Sequence, residues 1–179
     1  MAVDPIPAGY PRVSPYLCCR GAADAIEFYK DVLGATERMR MPGDSPDNIG
    51  HAELEIGTGM VMLADEFPDH GFLSPLTIGG TPVTVHVYVE DADAVFAKAL
   101  ERGATVTRAM ETQFYGDRSG QFVDPWGHRW NVASHVEDVS EEEMARRAAE
   151  LDPSQLQRVS RSSRLSTTVN FEMFGVGQS

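Results

Sequence analysis

The sequence predicts an α+β fold: two β-α-β-β-β modules whose eight strands curl into an open barrel or cup, with the helices outside. Three observations carry this expectation. The chain resembles itself at a shift of 69 residues, which lays Ala23-Asp24-Ala25 over Ala92-Asp93-Ala94 and Gly34-Ala35-Thr36 over Gly103-Ala104-Thr105. Within each half the hydrophobic period passes from strand to helix and back to strand. A module with one helix leaves a sheet face uncovered, so two modules must pair to bury enough apolar surface.

In the first half, Val13 to Cys19 reads as a strand, with Pro15 marking an edge or a strand start. Ala22, Ala25, Ile26, Tyr29, Val32 and Leu33 form one apolar stripe at helical spacing, and Gly34 is a helix stop. Thr36 to Met41 is a strand, and Pro42 to Asn48 is rich in turn formers. His51 to Ile56 alternates polar and apolar, as a half-buried strand does. Gly57-Thr58-Gly59 turns it back into Met60 to Asp65.

The second half repeats the order. Val83 to Val89 is a strand, Asp91 to Arg102 a helix ending at Gly103, and Thr105 to Met110 a strand. Ser119 to Val123 and Arg129 to Ala133 form a hairpin around Asp124-Pro125-Trp126-Gly127. The repeats span about 10–66 and 81–135. Beyond them a helix is expected over 139–151, with Ser140 as N-cap and Glu143 completing a capping box. Residues 1–151 then make a single domain. Residues 152–179, with the linker-like Ser160-Arg161-Ser162-Ser163-Arg164, are expected to be a disordered, dispensable tail.

Composition narrows the function classes. Among 179 residues, 42% are hydrophobic, as in a globular chain. The formal net charge of −12 disfavours nucleic-acid binding, which needs a basic face to meet phosphate. No stretch approaches the roughly 18–20 consecutive apolar residues of a membrane span. The N-terminus shows neither a basic patch nor an apolar run, so a cytoplasmic location is expected. The two cysteines, Cys18 and Cys19, are adjacent. On a strand they point to opposite faces and are expected to stay unbridged.

Five motifs carry a family resemblance. Phe28-Tyr29-Lys30-Asp31-Val32-Leu33-Gly34 and Phe122-Val123-Asp124-Pro125-Trp126-Gly127-His128 resemble signatures of the glyoxalase and bleomycin-resistance proteins, the vicinal-oxygen-chelate superfamily. Tyr115-Gly116-Asp117-Arg118, His51-Ala52-Glu53 and Met62-Leu63-Ala64-Asp65-Glu66 are similar to its PhnB-like branch. The resemblance runs from about Gly9 to Leu151 and implies a small-molecule cup and a homodimer. Family enzymes hold a divalent metal at positions that fall here near Ser14, Leu63, Thr84 and Asn131. These are poor ligands, so no metal and no other cofactor is expected.

Other polar residues qualify for the cup. If Thr84 faces inward, alternation brings His86 and Tyr88 with it. On the third strand Ala52, Leu54 and Ile56 suit the helix side, which leaves His51, Glu53 and Glu55 for the cup. His51, Glu53 and His86 are the candidates for acid–base chemistry. Thr84, Tyr88, Tyr115, Arg118 and Asn131 are the candidates for ligand binding, with Arg118 either clamping a carboxylate or pairing with Asp117. His51, Glu53, His86 and Tyr88 are expected to converge in one cavity, with Tyr115 and Arg118 at its mouth. Asp65 is expected to share a face with Leu63. Trp130 is assigned to the core and His128 to structure, while His70 and His135 receive no role. Three functions stay open: a PhnB-like binder of a small organic molecule, a lyase or dioxygenase that uses a shifted metal site or acid–base residues around His51, Glu53 and His86, and a purely structural module.

Overall fold

The structure, a computed structural model, describes residues 3–45 and 47–151. The expected tail, 152–179, lies outside the described residues. Two four-stranded sheets repeat one topology. The first holds β1 (Tyr16–Cys19), β2 (Thr36–Pro42), β3 (Ile49–Ile56) and β4 (Gly59–Asp65), in the order β1-β4-β3-β2, with helix α1 (Ala22–Leu33) after β1. A linker with the short helix α2 (Pro75–Ile78) leads to the second module. There β5 (Thr84–Tyr88), β6 (Thr105–Thr112), β7 (Asp117–Val123) and β8 (Arg129–His135) lie in the order β5-β8-β7-β6, with α3 (Ala92–Glu101) after β5. The duplication read from the sequence is therefore the architecture. Val13 and Val83 lie outside the strands expected to contain them, and β7 begins two residues earlier than expected.

The helices form where the stripes predicted. Ala25, Ile26, Tyr29 and Val32 are buried along α1, and Gly34 ends it at φ 64 in the left-handed region that glycine adopts without strain. The amides at the start of α1 are held by Asp65. Its Oδ1 accepts from the backbone N–H of Gly21 and Ala22, and its Oδ2 accepts from Ile49 N–H. Asp65 and Leu63 do share a face, but it is the helix face: Leu63 is fully buried there. Neither residue looks into the cup. On β4 the cup-facing neighbour is Met62, paired with Tyr16 and Glu53.

The modules are joined through their helix sides. Tyr29 of α1 packs against Trp130 of β8, the rings tilted by 52° with centroids 5.3 Å apart, and its hydroxyl donates to Asp124 Oδ2 at 2.6 Å. Lys98 of α3 pairs with Asp31 of α1 at 2.6 Å. His128 Nε2 lies 3.0 Å from the Cys18 carbonyl, a buried contact between the second module and β1. Both cysteines are free and buried; burial pushes the Cys18 thiol up to about 11 and Cys19 higher still. Among the described residues no helix is long and apolar enough to cross a membrane. Helix α4 (Glu141–Glu150) forms a separate unit; Ser140 is its N-cap, its hydroxyl accepting from Glu143 N–H at 3.2 Å, while the Glu143 carboxylate, expected to close a capping box, accepts from Arg146 and Arg147 instead.

Candidate functional site

Strand register decides which side chains look into the cup. Residues directly opposite on paired strands share a face. In the second module, Thr84 pairs with Arg129, His86 with Asn131, and Asn131 with Gln121. All lie opposite the face that buries Phe122, Trp130 and Val132 under the helices. In the first module Tyr16, Met62, Glu53, His51 and Met39 share the corresponding face. Alternation therefore places His51, Glu53, Thr84, His86, Tyr88 and Asn131 as the sequence led one to expect. A one-residue slip on β3 would expose Leu54 and Ile56, at roughly 1.5–3 kcal/mol for each large side chain.

The first concave face carries a hydroxyl–imidazole–carboxylate chain. Tyr16 OH lies 2.8 Å from His51 Nδ1, and His51 Nε2 lies 3.3 Å from Glu53 Oε1. Because the carboxylate only accepts, Nε2 carries the proton and Nδ1 accepts from Tyr16. Glu53 is only 4% exposed and also accepts from Tyr10 OH at 2.9 Å. Arg38 stands 3.9 Å from Glu53 and lies over the Tyr10 ring at 4.3 Å. Burial holds the Tyr16 hydroxyl above its ordinary range; its hydrogen bond to Glu53 does the same for Tyr10.

A longer network crosses the second face. Arg108 Nη2 donates to Asn131 Oδ1 at 2.6 Å and to Ser119 Oγ at 3.1 Å. Asn131 Nδ2 meets His86 Nδ1 at 2.7 Å, and the His86 and Tyr88 rings lie 4.7 Å apart. Tyr88 OH donates to Asp117 Oδ2 at 2.7 Å, and His135 Nδ1 meets Asp117 Oδ1 at 2.9 Å. Burial pulls the Asp117 carboxyl upward, but the hydrogen bonds from His135 and Tyr88 outweigh it, so the group sits below the usual carboxylate range. His135, held by Asp117 and then Asp138, is raised.

Two expectations need correction. His51 and His86 belong to different sheets, and among the described residues no hydrogen bond or ring contact joins their two networks. Within this chain they head two separate hydrogen-bonded networks rather than one. A groove of about 420 Å³ between β1 and β5, lined by Tyr16, Cys18, Phe72, Val85 and His128, holds neither histidine. Arg118 is on the helix face of β7 and binds both carboxylate oxygens of Asp93 on α3, rather than Asp117 or a ligand. Tyr115 does lie beside the second network: its ring contacts Phe114, and after the hydrogen bond to Asp117 and burial its proximity helps to raise the Tyr88 hydroxyl.

Several members of these networks were invisible to pattern reading. Arg108 lies on an irregular strand, with register shifts on both sides of it, so counting by twos fails. The same holds for Met39, which a bulge at Arg38 turns toward the cup. Asp117 and Ser119 needed only the alternation of Gln121 extended backwards.

Comparison with known proteins agrees with this geometry. The model of the Glyoxalase/Bleomycin resistance protein/Dioxygenase superfamily matches residues 12–132. Protein Rv0887c of Mycobacterium tuberculosis is 44% identical over 138 residues, 75% of this chain and 80% of that one. The crystal structure of PA1353 from Pseudomonas aeruginosa superposes with a TM-score of 0.60 at 26% identity, over 71% of this chain and 99% of that one. A PhnB protein from Bacillus cereus shares the fold, with a TM-score of 0.55 at 18% identity over 69% and 99% of the two chains.

Proposed function

This chain belongs to the glyoxalase/bleomycin resistance protein/dioxygenase superfamily, and we propose that it is a PhnB-like member that binds a small organic molecule on its concave sheet faces without the family's usual metal. The observation that carries this reading is the donor set. The family resemblance puts the ion's ligands near Ser14, Leu63, Thr84 and Asn131, and the cup side of β4 offers Met62. These are neutral groups, poor ligands for a hard divalent cation. Asn131 is already engaged by Arg108 and His86. Among the described residues no group of three or more His, Cys, Asp or Glu side chains is placed to hold a metal ion. The residues present do not fit such an ion. The free, buried thiols suit a reducing cytoplasm.

The test combines metal analysis with ligand screening. After dialysis against nickel, zinc or iron, elemental analysis should find no stoichiometric ion. A thermal-shift screen of bleomycin and flat aromatic acids and amines should give ligands whose effect survives a chelator. One tightly held ion per chain, or binding abolished by the chelator, would overturn the reading.

The cup is completed by a second copy of the chain. In one chain Tyr88 is 61% exposed and Tyr16 47% exposed on the concave faces, so apolar ring surface is left without cover. Both β1 and β5 are sheet edges, which need a partner. Sedimentation at micromolar concentration should give about twice 19.6 kDa; a mass near 19.6 kDa would count against the dimer.

One observation favours a second reading, acid–base catalysis of a lyase or dioxygenase kind through His51, Glu53 and His86. The Tyr16–His51–Glu53 chain is arranged to pass a proton along two hydrogen bonds. Turnover of a screened ligand that is lost in His51→Ala, with its binding retained, would establish it.

A further inference from the structure

On the second concave face the Arg108 guanidinium has no counter-ion among the described residues. Arg108 is part-buried on β6, and the bonds it makes among those residues go to the neutral Ser119 and Asn131. Both bonds use Nη2. Its Nε is enclosed without an acceptor, and among the described residues Nη1 makes no hydrogen bond. Among the described residues no carboxylate forms an ion pair with it; Asp117, on the same face, is bonded to Tyr88 and His135. Arg129, on the same face beside Asn131, also has no carboxylate partner among the described residues. The same face carries Glu111 and Asp117, but among the described residues neither carboxylate pairs with either arginine, so both guanidinium groups keep unspent donors. An unpaired, partly desolvated charge is costly unless something binds it.

The network also fixes a second donor. Arginine can only donate, so Asn131 must turn Oδ1 toward it and Nδ2 toward His86. His86 Nδ1 then accepts, and the ring proton of the neutral imidazole sits on Nε2. Among the described residues that Nε2–H has no partner, and the ring is exposed on the cup side. Asn131, at 5% exposure, is the hinge that holds both orientations. Arg108 Nη1 and His86 Nε2–H are thus two unspent donors on one face, held by a shared amide.

We infer that Arg108, Asn131 and His86 form an oxyanion receptor, which takes the carboxylate or phosphonate group of the small organic ligand. This rests on the small-molecule reading above and names the chemistry that would orient the ligand. Arg108 supplies the charge, His86 a directional neutral donor, and the Tyr88 ring, in contact with His86, an apolar flank. Asn131 is a positioning residue.

The experiment is a nitrogen-15 NMR titration of the His86 imidazole with benzoate, phenylphosphonate and benzyl alcohol. In the free protein the protonated nitrogen should be Nε2. Benzoate or phenylphosphonate should shift it saturably, and whichever binds more tightly identifies the anion class. In Arg108→Gln the affinity for that anion should fall about tenfold or more, the worth of one charge-assisted hydrogen bond. Benzyl alcohol, with the same ring and no charge, should bind weakly and equally to both proteins. Arg108→Lys, which keeps the charge but not the fork, should lie between, and unchanged melting of either variant certifies the fold. An anion that leaves His86 unmoved, or that binds Arg108→Gln within twofold of the parent, overturns the receptor. If neither anion binds while uncharged or cationic compounds from the wider screen do, the receptor is wrong and the small-molecule reading survives. If nothing binds in either experiment, both fall.

Discussion

Replacing Asp124 with alanine is expected to lower the melting temperature by about 10–20 °C, equivalent to roughly 3–5 kcal/mol. The carboxylate is 3% exposed at the turn between β7 and β8. It accepts from Tyr29 OH at 2.6 Å and Trp130 Nε1 at 2.9 Å, and from the backbone N–H of Trp126 and His128 at 3.0 and 2.9 Å. Four donors satisfy one buried charge, and one of them comes from the other module. Removing the acceptor leaves all of them unpaired and loosens the joint between α1 and β8. Burial and the neighbouring carboxylate together hold the Tyr29 hydroxyl far above its ordinary range, so it stays a donor at every working pH. Tyr29→Phe removes a single bond and should cost about 1 kcal/mol. Thermal unfolding followed by circular dichroism decides the matter, and a loss under about 3 °C for Asp124→Ala would show that the two modules are not locked by this group.

Gly116→Ala should cost about 2–4 kcal/mol. Gly116 has φ +95, a conformation side chains avoid, and a Cβ there would fall onto the Glu137 carbonyl oxygen. Its own carbonyl accepts from Val136 N–H and Glu137 N–H, which closes the end of the β7–β8 pair. The collision lies next to Asp117 and Tyr115, so the variant should also disturb the Tyr88–Asp117–His135 network. Gly57→Ala is the control: φ is +57, but nothing lies within 4 Å of an added Cβ, and only the backbone penalty of about 1 kcal/mol applies. Urea denaturation of the two variants compares them. Equal losses would mean that the strand end yields to the added methyl group.

The local alternation of β3 and β5 was legible because each strand has one apolar face. Leu54, Ile56, Val85 and Val87 cannot face water without cost, so His51, Glu53, His86 and Tyr88 had to lie opposite them. Trp130 and His128 were readable for a related reason: a large ring beside a tight turn has few places to go. Leu63 was misread because the count from a distant motif carries an uncertainty of one residue, and in a strand one residue is the other face.

What the sequence by itself determined was the duplicated frame, the helix stops at Gly34 and Gly103, and the face of each regular strand. These follow from periodicity and backbone sterics, which act over a few residues. Tertiary structure alone decided that Arg118 turns to Asp93, that Arg108 reaches Asn131 from an irregular strand, and that the modules meet through Tyr29, Trp130 and Asp124. It also decided that His51 and His86 head separate networks. The physical reason is range: hydrogen bonds between residues 23 to 95 positions apart depend on how sheets and helices are packed, and no local pattern encodes that distance.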